Sequence, residues 1–244
     1  MNLFQFQQRF HIIPRSKIEM ELTNMKYTLS ALSLAALFSF NAAANQSEKV
    51  TESPFKFSLF AGITDGGDKL ASISYEDDRG KDAGGENIKA GDFLNIGAGV
   101  EYSFSKAWSV QANIGYFFDS DSADNADIEI TRFVIESVPY YHINEKFKFG
   151  IGLTLHLNPE FKNDHTNIIS STTEYDNAAA AVFSLGYKVE QMNSWFELRY
   201  VPIDYSIKSQ KITEIFGQRV NLPLEDFEKD VDASHIGISW HYQF

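Results

Sequence analysis

Nine ionisable side chains recur on the polar side of segments whose other side is apolar: Lys56, Glu101, Arg132, Glu136, Lys148, Lys188, Glu197, Arg199 and His241. If shut together away from water, such charges must be paired and hydrogen-bonded. They would then form a salt-bridged plug; left apart, they would line a polar path for a small solute. Ser239 and His241 lie two apart on one face, so with Glu197 they could form a Ser/His/acid set. Glu101, Glu136 and Glu197 could also approach His156 or His241, as neighbours in any polar-lined interior do by chance. Asp119, Asp121, Asp124 and Asp127 are spaced faintly like a calcium loop, and Glu76-Asp77-Asp78 forms a second acidic cluster. Both lack the glycine and the bidentate glutamate such a loop needs, so they read as solvated loops that hold divalent cations loosely. His142, His165 and His235 sit singly, without metal-ligand spacing, and are expected to face solvent. No metal, cofactor or catalytic residue is predicted. Without cysteine, neither disulfide nor thiolate chemistry is available.

The elements that must position these residues are strands. His235 to Phe244 alternates with period two: Ile236, Ile238, Trp240, Tyr242 and Phe244 share one face, and His235, Gly237, Ser239, His241 and Gln243 the other. The same pattern runs through Phe55–Ile63, Phe93–Phe104, Trp108–Phe118, Ile130–Tyr141, Phe147–Leu155, Ala179–Val189 and Phe196–Tyr200. That is about eight strands of membrane-spanning length. Their connections alternate long and short. Ser105-Lys106, His142–Glu145 and Glu190–Asn193 are tight turns. Asp65–Asp92, Asp119–Asp127, Asn158–Asp176 and Tyr205–Ala233 read as long loops, with Leu70–Tyr75 able to extend the first as a hairpin. Pro139 and Pro202 each delete a ladder donor, which predicts a bulge or a strand end.

The chain is ordinary in bulk, 22% charged and 43% hydrophobic with mean hydropathy −0.26, but rich in aromatics at 14%. A net charge of −12 excludes the basic footprint of a nucleic-acid binder. After residue 44 no apolar run reaches the length of a membrane helix. Met25–Ala44 has a positive start, an apolar run from Leu29 to Phe40 and small residues at its end, which is a signal peptide cut near Ala44. Residues 1–24 read as a mis-assigned start or extension, 45–54 as a periplasmic lead-in, and 55–244 as the barrel.

A soluble lipocalin-type barrel would place its large apolar side chains inside and its charges outside. Here one face carries full-width Phe, Tyr, Trp, Ile and Leu, and the other Gly, Ser, Asn and scattered charge. In water that apolar face would be one continuous patch. The predicted fold is therefore all-β: a closed antiparallel transmembrane β-barrel of about eight strands, with short periplasmic turns and long extracellular loops.

Several segments carry a resemblance to a known group: Gly67-Asp68-Lys69-Leu70-Ala71, Ile88-Lys89-Ala90-Gly91-Asp92, Leu94–Val100, Thr131-Arg132-Phe133, Gly150–Thr154 with His156-Leu157-Asn158-Pro159, and the last aromatic strand. Over residues 55–244 the chain resembles the small Gram-negative outer-membrane β-barrel proteins of OmpA-type and OmpW-type. The resemblance implies an outer-membrane location, with lipid and lipopolysaccharide as surroundings and periplasmic chaperones and the barrel-insertion machinery as partners. It implies that the machinery reads the terminal strand through Trp240, Tyr242 and Phe244. With no periplasmic domain after Phe244, a wall-anchoring role is not expected. The expected role is structural or surface-interacting, in a monomer whose lumen is closed by its own charges. The alternatives are a narrow channel for small or apolar solutes and an outer-leaflet lipid-modifying enzyme. Deleting Tyr205–Ala233 is expected to leave folding intact.

Overall fold

The computed structural model describes residues 53–76, 82–123, 126–165, 169–223 and 230–244. The predicted extension, the signal peptide and all but the end of the lead-in lie outside the described residues, as do Asp77, Asp78 and Asp124.

Fourteen strands are described, with one short 3-10 turn at Glu190–Met192. In chain order they begin with β1 (Phe55–Asp65), β2 (Lys69–Glu76), β3 (Asp82–Lys89), β4 (Phe93–Ser103), β5 (Trp108–Ala123), β6 (Ala126–His142) and β7 (Phe147–His165). They continue with β8 (Ile169–Tyr175), β9 (Ala178–Val189), β10 (Ser194–Val201), β11 (Asp204–Ile215), β12 (Gln218–Pro223), β13 (Asp230–Asp232) and β14 (His235–Gln243). Eight of them close a ring in the order β1-β4-β5-β6-β7-β9-β10-β14, every neighbour antiparallel, and β14 returns to β1 from Ser58–Gln243 to Asp65–Ile236. Phe57 and Phe244 exchange both backbone hydrogen bonds, at 3.2 and 2.9 Å. Closure leaves no exposed edge around the barrel.

The short turns follow from local side-chain chemistry. Ser105 Oγ accepts from the N–H groups of Ala107 and Trp108, and Asn144 Oδ1 from those of Lys146 and Phe147. Such hydroxyl and amide caps stand in for a backbone turn. Asn193 supplies the left-handed residue after the 3-10 turn, at φ 48°. Pro202 ends β10, as expected. At Pro139 the expected bulge is not formed. The β6–β7 register is the same on either side of it, at Ser137–Leu153 and Tyr140–Gly150.

The exterior of the ring is apolar. Ile63, Ile96, Ile114, Ile135, Leu153 and Leu198 project outward around its middle, Ile114 at 63% exposure. Near the short turns the band is edged by Tyr102, Trp108, Tyr141, Phe147, Tyr187, Trp240 and Tyr242, and toward the other end by Tyr116, Phe133, Phe183 and Tyr200. Rings pair across strands, as in Trp108–Tyr141 and Phe147–Tyr187, both at 5.1 Å. An apolar belt edged by aromatic girdles is stable in lipid and not in water. The chain is a transmembrane barrel.

The long connections are not loops. β5 and β6 stay paired up to Ala123–Ala126, through the segment expected to be an acidic loop. β7 continues to His165 and pairs there with β8, which pairs in turn with β11. The stretches read as loops at Asn158–Asp176 and Tyr205–Ala233 are therefore largely hairpin. The reason is that the apolar core of the lumen continues above the ring, where Ile128, Ile130, Phe161, Tyr175, Tyr205 and Val231 are all buried. Each such burial contributes roughly 1.5–3 kcal/mol, enough to hold polar-looking strands together. This also corrects the expected separability of Tyr205–Ala233: Tyr205 is fully buried, and the Ala233 N–H donates to Ile203.

Candidate functional site

Inside the ring, seven of the nine predicted lumen charges are buried: Glu101, Arg132, Glu136, Lys148, Glu197, Arg199 and His241. Lys56 and Lys188 are only half-buried. Both stand near strand ends beside the short turns, Lys56 opposite Glu101 and Lys188 opposite Trp195 in the ladder.

The lumen near the turns is a charge network around Lys148. Its ammonium, on β7, sits 2.9 Å from Glu197 Oε1 on β10 and 3.3 Å from Glu101 Oε2 on β4. It also donates to Gln111 Oε1 at 2.9 Å. Rings of Tyr140 and Trp195 cover it at 4.0 and 4.6 Å. Each carboxylate has further donors. Tyr140 Oη donates to Glu197 at 2.9 Å, and Gln243 Nε2 to Glu101 at 3.1 Å. His241 and His142 lie 3.5 and 3.7 Å from Glu197 and Glu101. One step further in, Arg199 on β10 bonds Glu136 on β6 at 2.5 Å, and Asn113 donates to the other oxygen of Glu136. Each of these buried ions faces an opposite charge, and such a network holds its members in one arrangement. Inward glycines make the room: a Cβ on Gly186 would stand 2.7 Å from Lys148 Cγ, and one on Gly97 would stand 2.3 Å from the ring of Phe60. Phe60 in turn stacks on His241 at 4.9 Å.

Arg132 belongs to a different neighbourhood at the opposite end. Its hydrogen-bond partners are neutral: Nη1 donates to the Ala90 carbonyl at 3.2 Å and to the Tyr205 hydroxyl. That hydroxyl is then free to donate to His156 Nδ1, 2.7 Å away. The guanidinium lies 3.8 Å over the ring of Phe93. Ala90 and Gly91 fold inward across the mouth, where Thr64 Oγ1 donates to the Gly91 carbonyl at 2.8 Å. Two histidines expected in solvent are thus inside. His235 is buried and stacks on His156 at 6.0 Å, and half-buried His142 meets Ser109 Oγ at 2.8 Å. Their parity on β6 and β14 gives both places. Read singly, as residues at strand ends, they lose that signal. Tyr140 was findable by the same parity, as an even-numbered neighbour of Glu136 on β6, whereas Tyr205 lay in an expected loop and was not.

The Ser239, His241 and Glu197 set does assemble, but with the wrong geometry for nucleophilic chemistry. Ser239 Oγ is 3.0 Å from His241 Nε2, and Glu197 approaches the same nitrogen at 3.5 Å. A relay needs the acid on the opposite ring nitrogen. Here that nitrogen faces Gln111 at 3.4 Å. Asp119, Asp121 and Asp127 lie in the β5–β6 ladder. Among the described residues no group of acidic or histidine side chains is spaced to hold a metal ion.

No protein-family model matches the chain, and no curated protein matches it. Among solved structures, the chain is similar to the attachment invasion locus protein Ail of Yersinia pestis. The identity is 11% over 79% of this chain and 100% of that one, with a TM-score of 0.45. It is also similar to the outer membrane protein OprG of Pseudomonas aeruginosa, at 16% identity over 79% and 97%, with a TM-score of 0.45. For Neisserial surface protein A the identity is 9% over 79% and 98%, with a TM-score of 0.40.

Proposed function

We propose that the chain is an integral outer-membrane barrel with a structural or surface-interaction role, whose lumen is closed by its own side chains. The observation that carries this is the fully buried Lys148, held between Glu101 and Glu197 beneath the Arg199–Glu136 pair. An eight-stranded interior is barely wide enough for its side chains, and ions that satisfy one another leave no site for a passing solute. The outer-membrane assignment rests on the closed ring, the apolar band and the short turns at one end. In this reading periplasmic chaperones and the insertion machinery handle the chain, and Trp240, Tyr242 and Phe244 on the closing strand are the signal they read. The work of the protein then falls to the hairpins at the outer end. Single-channel recording of the folded chain in a planar bilayer tests the closed lumen. A silent membrane is expected. Steady, discrete openings would replace this reading with that of a narrow channel, in which the lumen charges set selectivity.

A further inference from the structure

The first outer hairpin, β2–β3, stands apart from the ring: among the described residues its two strands pair only with each other. Its neck nevertheless closes the mouth, with Ile88, Ala90 and Gly91 buried. Two jaws hold that neck. One is the β13–β14 connection. The Asp68 N–H donates to the Asp232 carbonyl at 2.7 Å, and the Asp232 N–H donates back to Asp68 Oδ2 at 3.2 Å. Gly67, at φ 77°, lies so close that a Cβ on it would stand 2.7 Å from the same carbonyl. The other jaw is Arg132, which holds the Ala90 carbonyl. Behind each jaw stands a buried histidine. His235 Nδ1 donates to the Ala233 carbonyl, within the first jaw, at 2.9 Å. His156 Nδ1 accepts from the Tyr205 hydroxyl, which in turn accepts from Arg132. Both sets of bonds are complete with the rings neutral. The charges that face the two rings are cationic, Arg132 of β6 and Arg199 of β10. Glu136 of β6, whose charge reaches Arg132, is bonded to Arg199. The other elements packed here offer neutral groups: Thr64 of β1, Asn95 of β4, Phe117 of β5, Tyr175 of β8 and Tyr205 of β11. Asp68 and Asp232, on the neck and its jaw, are exposed and accept from backbone N–H groups, and Lys89 pairs with Asp65 at the rim.

We propose that the neck of β2–β3 is a proton-operated latch: one proton taken up by each of His156 and His235 releases both jaws, and the hairpin swings off the mouth. A proton on His156 Nδ1 displaces the one that Tyr205 donates there. The Tyr205 hydrogen loses its acceptor, and its oxygen then faces two cationic donors, Arg132 and His156. A proton on the second nitrogen of His235 sets another charge 6.0 Å from the His156 ring. The cations Arg132, Arg199, His156 and His235 are then enclosed with one carboxylate, Glu136, that is already in use. Like charges held this close out of water repel strongly. Opening lets water reach the rings, which then titrate near the ordinary imidazole value of about 6.5. The closed state, with its neutral rings, is therefore fully favoured above that pH and loses ground below it. With two protons taken up on opening, the ratio of open to closed rises by up to about a hundredfold per pH unit. The network around Lys148, toward the short turns, takes no part in the latch, and the latch does not depend on whether the lumen conducts.

Double electron–electron resonance on the full chain, folded in lipid nanodiscs, tests this. Spin labels at Asn87→Cys on the hairpin and Glu129→Cys on the outer wall replace exposed side chains. A single distance is expected at about pH 7.5, and a second, longer one that grows toward about pH 4.5, across the imidazole range. The logarithm of their ratio should fall with pH at a slope approaching two. In His156→Asn/His235→Asn each amide can keep its ring's hydrogen bond and cannot take up the proton, so this variant should stay closed throughout. Each single variant should halve the slope, and carries the same test if the double variant does not fold. A wild-type hairpin that stays closed at the acid end would overturn the latch. Opening by the double variant at the wild-type pH would assign the response to the neck carboxylates and overturn it equally.

Discussion

The two ends of this molecule obey opposite polarity rules on the same strands. On β6, Phe133 and Ile135 face outward at 56% and 46% exposure while Arg132 and Glu136 face in. A few residues further out, Ile130 and Ile128 face in at 0% and 2%, and Glu129 and Thr131 face out. The strand keeps its phase; the chemistry assigned to each phase reverses. β7 reaches the same reversal differently: its apolar residues stay at odd positions, Ile151, Leu153 and Leu155 outward and Phe161 inward, and the bulge at Asn158 and Pro159 shifts the phase between them. Below the reversal the solvent of the outer face is lipid, so charge is confined to the lumen and must be paired there. Above it the solvent is water, and the hairpins fold like a small soluble sheet with an apolar interior. Arg132 stands at the junction, which explains its mixed company of a carbonyl, a hydroxyl and an aromatic face.

The contrast can be broken from either side. The largest effect is expected from Lys148→Ala, which strands Glu101 and Glu197 in the lumen and should cost about 3–5 kcal/mol in a denaturant titration of the folded barrel. A loss under about 1 kcal/mol would mean that water reaches the network. Next is Ile114→Arg or Leu153→Arg in the lipid-facing band, expected to cost about 2–4 kcal/mol. Glu129→Arg, outward on β6 but above the reversal, should change stability by no more than about 0.5 kcal/mol. Equal costs for the two classes would place the water boundary elsewhere. At the junction, Tyr205→Phe removes the hydroxyl shared by Arg132 and His156 and should cost about 1.5–3 kcal/mol, the range for a hydrogen bond to a charged group. An unchanged midpoint would detach the upper core from the barrel.

Much of this was legible from period-two alternation. Parity placed Glu101, Glu136, Lys148, Glu197, Arg199 and His241 inside and Ile114, Leu153 and Trp240 outside, because a strand allows only two faces. The alternation of short and long connections gave the antiparallel ring. Parity says nothing of height or of which strands meet, so the pairing of Lys148 with Glu197 on β10 could not be read. The extended hairpins were hidden for a different reason. The segments around Asp119–Asp127 and Asn158–Asp176 are dense in Asp, Ser, Thr and Asn, residues that suit turns. The buried set that overrides this preference is assembled from three separate connections. One further signal lies in β6. The odd positions of β6 turn from polar at Glu129 and Thr131 to apolar at Phe133 and Ile135 without any interruption of the strand, and that change marks the membrane boundary.

The boundary itself can be measured. The chain has no cysteine, so single labels can be introduced at will. Glu129→Cys, Thr131→Cys, Phe133→Cys and Ile135→Cys, each labelled with an environment-sensitive fluorophore in lipid nanodiscs, put four reporters on the outer face of one strand. The account predicts quenching by a lipid-borne quencher at 133 and 135, and by a water-soluble quencher at 129 and 131. Lipid quenching that continues through 129, or water quenching at 135, would contradict it.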